Sequence, residues 1–250
     1  MALSIVELLP ATARLSKRAL SAWLRGEPEL RLLPRLCRVD ELSLDIGANY
    51  GVYAWHLSRF SKGVIAFEPQ PGPADFIRRG LGGQVRVEQV ALSDGEGEVV
   101  LRVPRDRMQD GRATIEPGNA LEAFDAEEIV VPRRRLDSYD LPRVGFVKVD
   151  VEGHELATLA GARTLLDRDR PTLIVEAEDR HRPGAVASVA TFLAGLGYRG
   201  LFLRDGGLVP LERIAVAGTG LDGLGAGAAA AGINNFVFAA RPDVVAALVA

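Results

Sequence analysis

Two short runs of this 250-residue chain gather the groups that could hold a charged ligand and move a proton. The first is Leu44-Asp45-Ile46-Gly47-Ala48-Asn49-Tyr50-Gly51, where an apolar run gives way to a helical pattern. Glycine at the end of a strand permits a tight turn and lets a ligand approach the backbone without meeting a Cβ. The run is not the G-x-G-x-x-G of nicotinamide-type turns, because Asn49 stands where the second glycine belongs, and no G-K-[ST] follows to make a P-loop. Seventeen residues beyond Gly51, Glu68 ends the next apolar run, where an acid can accept hydrogen bonds from both hydroxyls of a ribose. Acids at this rim, Asp45 first among them, suit a positively charged sulfonium and repel a pyrophosphate. The turn therefore favours S-adenosylmethionine over a nicotinamide dinucleotide.

The second run is Lys148-Val149-Asp150-Val151-Glu152-Gly153-His154-Glu155. Strand alternation puts Lys148, Asp150 and Glu152 on one side and Val147, Val149 and Val151 on the other. Charges in such an apolar strand need a partner or a task, because an unpaired buried charge is costly. One reading is a self-satisfied Lys–carboxylate network that braces a cofactor pocket. The other gives Asp150, Glu152 or His154, with Lys148 beside them, the binding or deprotonation of an acceptor hydroxyl during in-line methyl transfer. His56 lies in a helical pattern and His181 in a loop, and both are expected to be structural or exposed. Glu176 and Glu178 end a later strand and could join Asp150 around magnesium or another divalent metal, which the spacing permits without requiring.

Alternating elements must hold these groups in place. Residues 42–46, 63–67, 85–90, 144–151 and 173–177 read as strands, with helices over 51–60, from about 73, and over 155–166. That alternation implies a parallel sheet covered on both faces. Residues 99–103 and 129–131 read as extra strands in an excursion, whose polar segment 104–128 is too long for an idle connection. A helix near 187–196 and strands at 201–204 and 236–239 complete the pattern. Nine glycines between positions 200 and 232 make that connection an expected mobile segment. Residues 3–25 form a mildly basic helical arm, its apolar stripe packing on a core, with membrane-surface contact as the alternative. The division is an arm over 1–40, one domain over 41–240 and a tail over 241–250.

With 48% hydrophobic and 25% charged residues the chain is of an ordinary globular class, and disorder is excluded. Its single cysteine, Cys37, allows no internal disulfide and no Cys-based zinc site. A net charge of −3 gives no attraction to phosphate backbones, so nucleic acid is not an expected partner. No signal-peptide pattern precedes Pro10, and the uncharged run 223–240 is rich in glycine, alanine and asparagine, as in a flexible loop feeding a strand. A cytoplasmic protein without stable membrane insertion is expected; composition does not bear on its oligomeric state.

In order along the chain, Asp45-Ile-Gly-Ala-Asn-Tyr-Gly51, Ala66-Phe67-Glu68-Pro69, Ala91-Leu92-Ser93-Asp94, Leu136-Asp137-Ser138-Tyr139 and the run from Lys148 to Glu155 resemble the FkbM-type S-adenosylmethionine-dependent methyltransferases. The resemblance covers about residues 41–240. It implies the class I methyltransferase, Rossmann-like α/β fold: a seven-stranded, mostly parallel sheet with helices on both faces and an antiparallel last strand at 236–238. It further implies that Gly47, Asn49 and Gly51 surround the methionine part of the cofactor and that Asp45 meets its amine. Glu68 would hold the ribose, Pro69 would shape that wall, and Ala91, Leu92 and Ser93 would border the adenine, with Asp150 also at the cofactor. The implied acceptor is a hydroxyl of a sugar, glycan or small natural product, methylated on oxygen. A non-catalytic S-adenosylmethionine-binding module, regulatory or serving a pathway partner, is the alternative. Substrate choice is expected to lie in 104–128 and the glycine-rich stretch, closing over the acceptor.

Overall fold

The computed structural model describes residues 9–106, 110–117, 119, 125–214 and 223–249. Helix α1 (Ala11–Arg25) follows Pro10 and stops at Gly26; a short 3-10 turn and α2 (Leu33–Leu36) then lead to β1 (Leu42–Ile46). Next come α3 (Val52–Leu57), β2 (Gly63–Phe67), α4 (Pro71–Leu81) and β3 (Val85–Glu88). Strands β4 (Ala91–Leu92), β5 (Gly97–Pro104) and β6 (Ala126–Arg134) form a separate small sheet in the order β4-β6-β5. The alternation resumes with β7 (Val144–Val149), α5 (Glu155–Ala160), α6 (Arg163–Asp169), β8 (Thr172–Glu176) and α7 (Ala185–Gly195). It ends with β9 (Arg199–Arg204), β10 (Gly207–Pro210), α8 (Leu224–Ala231), β11 (Asn235–Ala239) and α9 (Pro242–Val249).

The main sheet has the order β10-β9-β11-β8-β7-β1-β2-β3. Neighbours from β8 to β3 run parallel, and β11 is antiparallel to both β8 and β9. The sheet therefore has eight strands rather than the expected seven, the extra one being the edge strand β10. Its turn is made by Asp205 and Gly206, both at positive φ, the pattern that a two-residue hairpin prefers. β7 is buried along its whole length, and alternate residues serve two cores. Val147 and Val149 join Leu44, Ile46, Leu173 and Phe236 on one face, while Phe146 joins Val64, Ala66, Ile174 and Val237 on the other.

The expected helix over 155–166 divides at Gly161. A Cβ there would lie 2.0 Å from the Ser93 carbonyl oxygen, so the chain leaving β4 crosses where a continuous helix would need room. Asp137 starts α6 by accepting the N–H groups of Thr164 and Leu165 at 2.9 and 3.0 Å. The strand expected over 85–90 ends at Glu88, and Ala91 and Leu92 just beyond it pair with β6 in the smaller sheet.

The arm is built into the domain. Leu15 and Ala19 are fully buried, and α1 lies on α3 and α4. Trp55 donates its Nε1–H to Ser16 Oγ at 3.2 Å. The buried His56 has Nε2 3.1 Å from the Ala19 carbonyl oxygen and stacks on Trp23. Leu15→Ala is expected to lower the unfolding free energy by about 2–5 kcal/mol, as for other fully buried leucines. Urea denaturation measures it, and a loss below about 1 kcal/mol would show a loosely docked arm.

No helix among the described residues is long and apolar enough to cross a membrane. The uncharged run 223–240, expected as a loop feeding a strand, folds as α8 and β11. Part of the expected mobile connection, residues 215–222, lies outside the described residues.

Candidate active site

The glycine turn closes β1. Gly47 has φ +76°, and a Cβ on it would stand 1.7 Å from the Asp150 carbonyl oxygen, so the ends of β1 and β7 touch only because this residue is glycine. Asn49 has φ +47°, a left-handed conformation that asparagine tolerates better than most residues. Gly51 caps α3 and packs against Ile77. Asp45 is buried, and its Oδ2 accepts the Ala54 N–H at 2.8 Å, tying β1 to α3.

Glu68 directly follows β2 and is only 3% exposed. Its Oε2 accepts the Asn49 N–H at 2.7 Å and its Oε1 the Gln70 N–H at 2.8 Å. Both bonds favour the ionised form, yet burial outweighs them and pushes the pKa up to about 7. Each oxygen keeps a second acceptor site. A cleft of about 520 Å³ opens beside it, bordered by Glu68, Pro69, Ala91, Leu92 and the glycine turn. Gly111, Ala113, Thr114 and Ile115 of the excursion line this cleft. The glycine-rich stretch, as far as it is described, borders neither this cleft nor the next. Ser93 is buried behind the wall, with Oγ 2.9 Å from His154 Nε2.

A second cleft of about 460 Å³ lies on the other side of the turn. Gly47, Asn49 and Asp150 border both clefts, so the two meet there. Asp45, Tyr53 and Lys148 line the second, with Arg18 and Glu27 contributed by the arm. Gly51 lines neither. Lys148, 1% exposed, donates to Asn235 Oδ1 at 3.0 Å. Its Nζ is 3.6 Å from Glu176 Oε2, 3.9 Å from Asp150 Oδ2 and 5.0 Å from the centre of the Tyr53 ring. Burial works against this ammonium, but Asp150 and Glu176 outweigh it and its pKa lies above the ordinary value. One lysine does not neutralise its surroundings. Burial pushes Asp45 and Glu176 up to about 7 in spite of Lys148, and raises Asp150, which opens onto the clefts but is enclosed by protein.

Beyond β7 the chain turns sharply, with Glu152 at φ +52° and Gly153 at +103°. Glu155 Oε1 holds the turn by accepting the Gly153 N–H at 2.7 Å. Thr114 Oγ1 and Asn119 Nδ2 donate to the Glu152 carbonyl at 2.8 and 2.7 Å, so the excursion is fastened here. The Glu152 carboxyl is pushed up to about 9 by burial, and further by Asp150 and Glu176. Its Oε2 is 3.0 Å from His181 Nδ1. Sequence reasoning did not see this partner: His181 lies on the loop after β8, far along the chain and in no local motif. His154, the expected histidine, has both ring nitrogens engaged, Nδ1 at 2.6 Å from Glu116 Oε2 and Nε2 with Ser93. It pins the excursion to the chain after β4. The metal-site possibility finds no geometry: Asp150 and Glu176 are taken up by the Lys148 ammonium at 3.9 and 3.6 Å, while Glu178 turns to Arg180 at 2.6 Å. Among the described residues no three His, Cys, Asp or Glu side chains are grouped to hold a metal ion.

A mostly parallel sheet in this order, with a glycine turn after β1, a buried acid after β2 and a charged turn after β7, is the class I methyltransferase fold. The chain belongs to the FkbM methyltransferase family, whose domain, described as the methyltransferase FkbM domain, matches residues 45–199. It is 31% identical over 149 residues to the hexuronic acid methyltransferase AglP of Haloferax volcanii. That match takes in 57% of this chain and 59% of AglP, so the chain spans less than two thirds of that relative. Similar solved structures include an FkbM methyltransferase from Methylobacillus flagellatus, at 18% identity and a TM-score of 0.48 over 76% of this chain and 51% of that one. Another is an O-methyltransferase, so far assigned only provisionally, from Klebsiella pneumoniae, at 15% identity and 0.49 over 94% and 92%.

Proposed function

We propose that the protein is an S-adenosylmethionine-dependent O-methyltransferase acting on a hydroxyl of a sugar or small natural product. The observation that carries this reading is the acid-rich junction of the two clefts, where Asp45, Asp150 and Glu176 share the single Lys148 ammonium and Glu152 borders the first cleft beside Asp150. Such a site is short of positive charge, and a sulfonium cation supplies it. A pyrophosphate would add repulsion, which argues against a nicotinamide dinucleotide. The residues fit the cofactor in two further ways. Glu68 has acceptor sites for ribose hydroxyls, and the Asn49 Oδ1, buried without a hydrogen-bond partner among the described residues, awaits a donor.

When bound, the cofactor supplies an electrophilic methyl group. The protein's part is to orient, exclude water and remove a proton. Glu68 and the glycine turn fix the adenosine side, and the excursion shields the first cleft from solvent. Asp150, steadied by Lys148, faces the cation. Glu152, as the carboxylate, takes the acceptor's hydroxyl proton, and His181 behind it at 3.0 Å supports the carboxylate before the transfer. Burial and Arg180 lower the pKa of His181, which favours its neutral form. The name of the Haloferax relative supports a sugar hydroxyl as acceptor. A cytoplasmic location goes with this reading and is supported by the lone, free Cys37.

Calorimetric titration with S-adenosylmethionine tests it. Asp45, Glu68 and Glu176 are raised to about 7 in the free protein, and a bound cation pulls them back toward the ordinary carboxylate range. Binding near neutral pH therefore expels protons, and affinity rises between about pH 6 and pH 8 before levelling. The heat should change with the ionisation enthalpy of the buffer. Absence of binding, or binding with no proton released, would sink the reading.

A further inference from the structure

The second cleft draws its walls from two parts of the chain. Gly47, Asn49 and Asp150 belong to the matched family domain, whereas Arg18 and Glu27 come from the arm that precedes it. The arm holds them in place: α1 is anchored by buried Leu15 and Ala19, by Ser16 on Trp55 and by the Ala19 carbonyl on His56. The Arg18 guanidinium lies 4.1 Å above the Tyr50 ring, next in sequence to Asn49. Stacked there, its planar fork of donors is preorganised for a carboxylate. Glu27 acts electrostatically on Asp45, Lys148 and Asp150, which places its negative charge close to the floor of the cleft. It also acts on the buried Tyr53 hydroxyl, which lines the same cleft.

The cleft thus offers a guanidinium, several carboxylates and the Tyr53 hydroxyl in one polar space, which meets the cleft beside Glu68 at Gly47, Asn49 and Asp150. A neutral sugar has no use for both signs of charge. An α-amino acid has: its carboxylate and its ammonium are separated by a single carbon. We propose that the arm completes this cleft for the zwitterionic amino-acid end of the cofactor, with Arg18 binding the carboxylate and Glu27 joining Asp45 at the ammonium. The inference rests on the S-adenosylmethionine reading and makes the N-terminal arm, which lies outside the family match, a working wall of the cofactor site.

The test is calorimetry on the full chain with two ligands, S-adenosylhomocysteine and 5′-methylthioadenosine, which share adenosine and a thioether but differ in the amino-acid end. Wild type is expected to bind the first at least about 30-fold more tightly, from charge-assisted hydrogen bonds that the second lacks. Arg18→Gln should weaken S-adenosylhomocysteine about 10- to 100-fold and leave 5′-methylthioadenosine within about twofold. Arg18 is exposed, so this variant keeps the fold; Glu27→Gln, on the chain after α1, is the independent second variant and should give the same selective loss. Equal losses for both ligands, or no loss, overturn the proposal. Wild-type affinities that are equal for the two ligands also overturn it while leaving the cofactor reading intact. Failure of wild type to bind either ligand brings down the cofactor reading itself, and this proposal with it.

Discussion

Lys148→Met is expected to lower the unfolding free energy by about 3–5 kcal/mol near pH 8, the usual cost of removing one partner from a buried ionic cluster. Methionine keeps the length and the apolar stem, so a side chain still reaches toward the Tyr53 ring and the loss reports charge. The ammonium is the only cation within 4 Å of Asp150 and Glu176 among the described residues. Without it these carboxylates and Asp45 must stay protonated or repel one another. The pH dependence follows from the direction of their shifts. Asp45 and Glu176 are already raised to about 7 in the folded protein, so they bind more protons folded than unfolded between the ordinary carboxylate range and about 7. Stability contributed by such acids falls as pH rises through that window. Removing Lys148 raises them further, so the deficit should be greatest near about pH 8 and shrink toward about pH 5.5, where the folded carboxyls are neutral. Urea denaturation at the two pH values measures this. An equal deficit at both would mean that packing, not charge, holds Lys148 in place.

The parts of the site that were legible in the sequence are those whose chemistry and geometry are local. Asp45, Gly47 and Asn49 lie within five residues at the end of β1, and Glu68 directly follows the strand that pairs with β1, so the βαβ connection alone brings them together. The Lys148 to Glu155 run was visible as charge in an apolar strand, because β7 follows the period of two up to Val149. Alternation stops there, however, and the positive φ of Glu152 and Gly153 aims the following residues in ways no strand pattern predicts. That is why His154 was a natural candidate and His181 was not: the Glu152–His181 pair depends on where β8 ends relative to β7. Arg18 and Glu27 were invisible for the same reason, since only the docking of α1 on α3 carries them to the turn. Asp137 marks a different limit, a motif residue whose task in the structure is to start α6. The missed edge strand had a readable signal in Asp205-Gly206, but the surrounding glycines made that stretch look like open connection.

Glu152→Gln is expected to lower turnover by about 100- to 10,000-fold, the range typical of losing a positioned general base. The substitution is nearly isosteric and keeps the carbonyl that Thr114 and Asn119 bind, so the excursion should stay fastened and S-adenosylhomocysteine affinity should change by no more than about twofold. The pH profile separates this from a structural effect. In the free protein burial, Asp150 and Glu176 hold the Glu152 carboxyl at about 9, so at neutral pH it carries a proton and is a poor base. A cation bound at the junction lowers that value, and His181 at 3.0 Å then stabilises the carboxylate as it forms. Wild-type turnover should therefore rise with pH toward about pH 8–9 as Glu152 ionises, and the variant should lose that rising limb. His181→Ala should keep the limb but move it to higher pH, since the supporting imidazole is gone while the base remains. Mass spectrometry of methylated product from a sugar acceptor, at saturating cofactor across the pH range, reads all three. If Glu152→Gln retains both the limb and more than about a tenth of the turnover, proton removal belongs to Asp150 or to solvent instead. If the limb vanishes only in the Glu152 variant, cofactor charge and base activation are coupled through one carboxyl, and the crowding of acids around a single lysine has a catalytic reason.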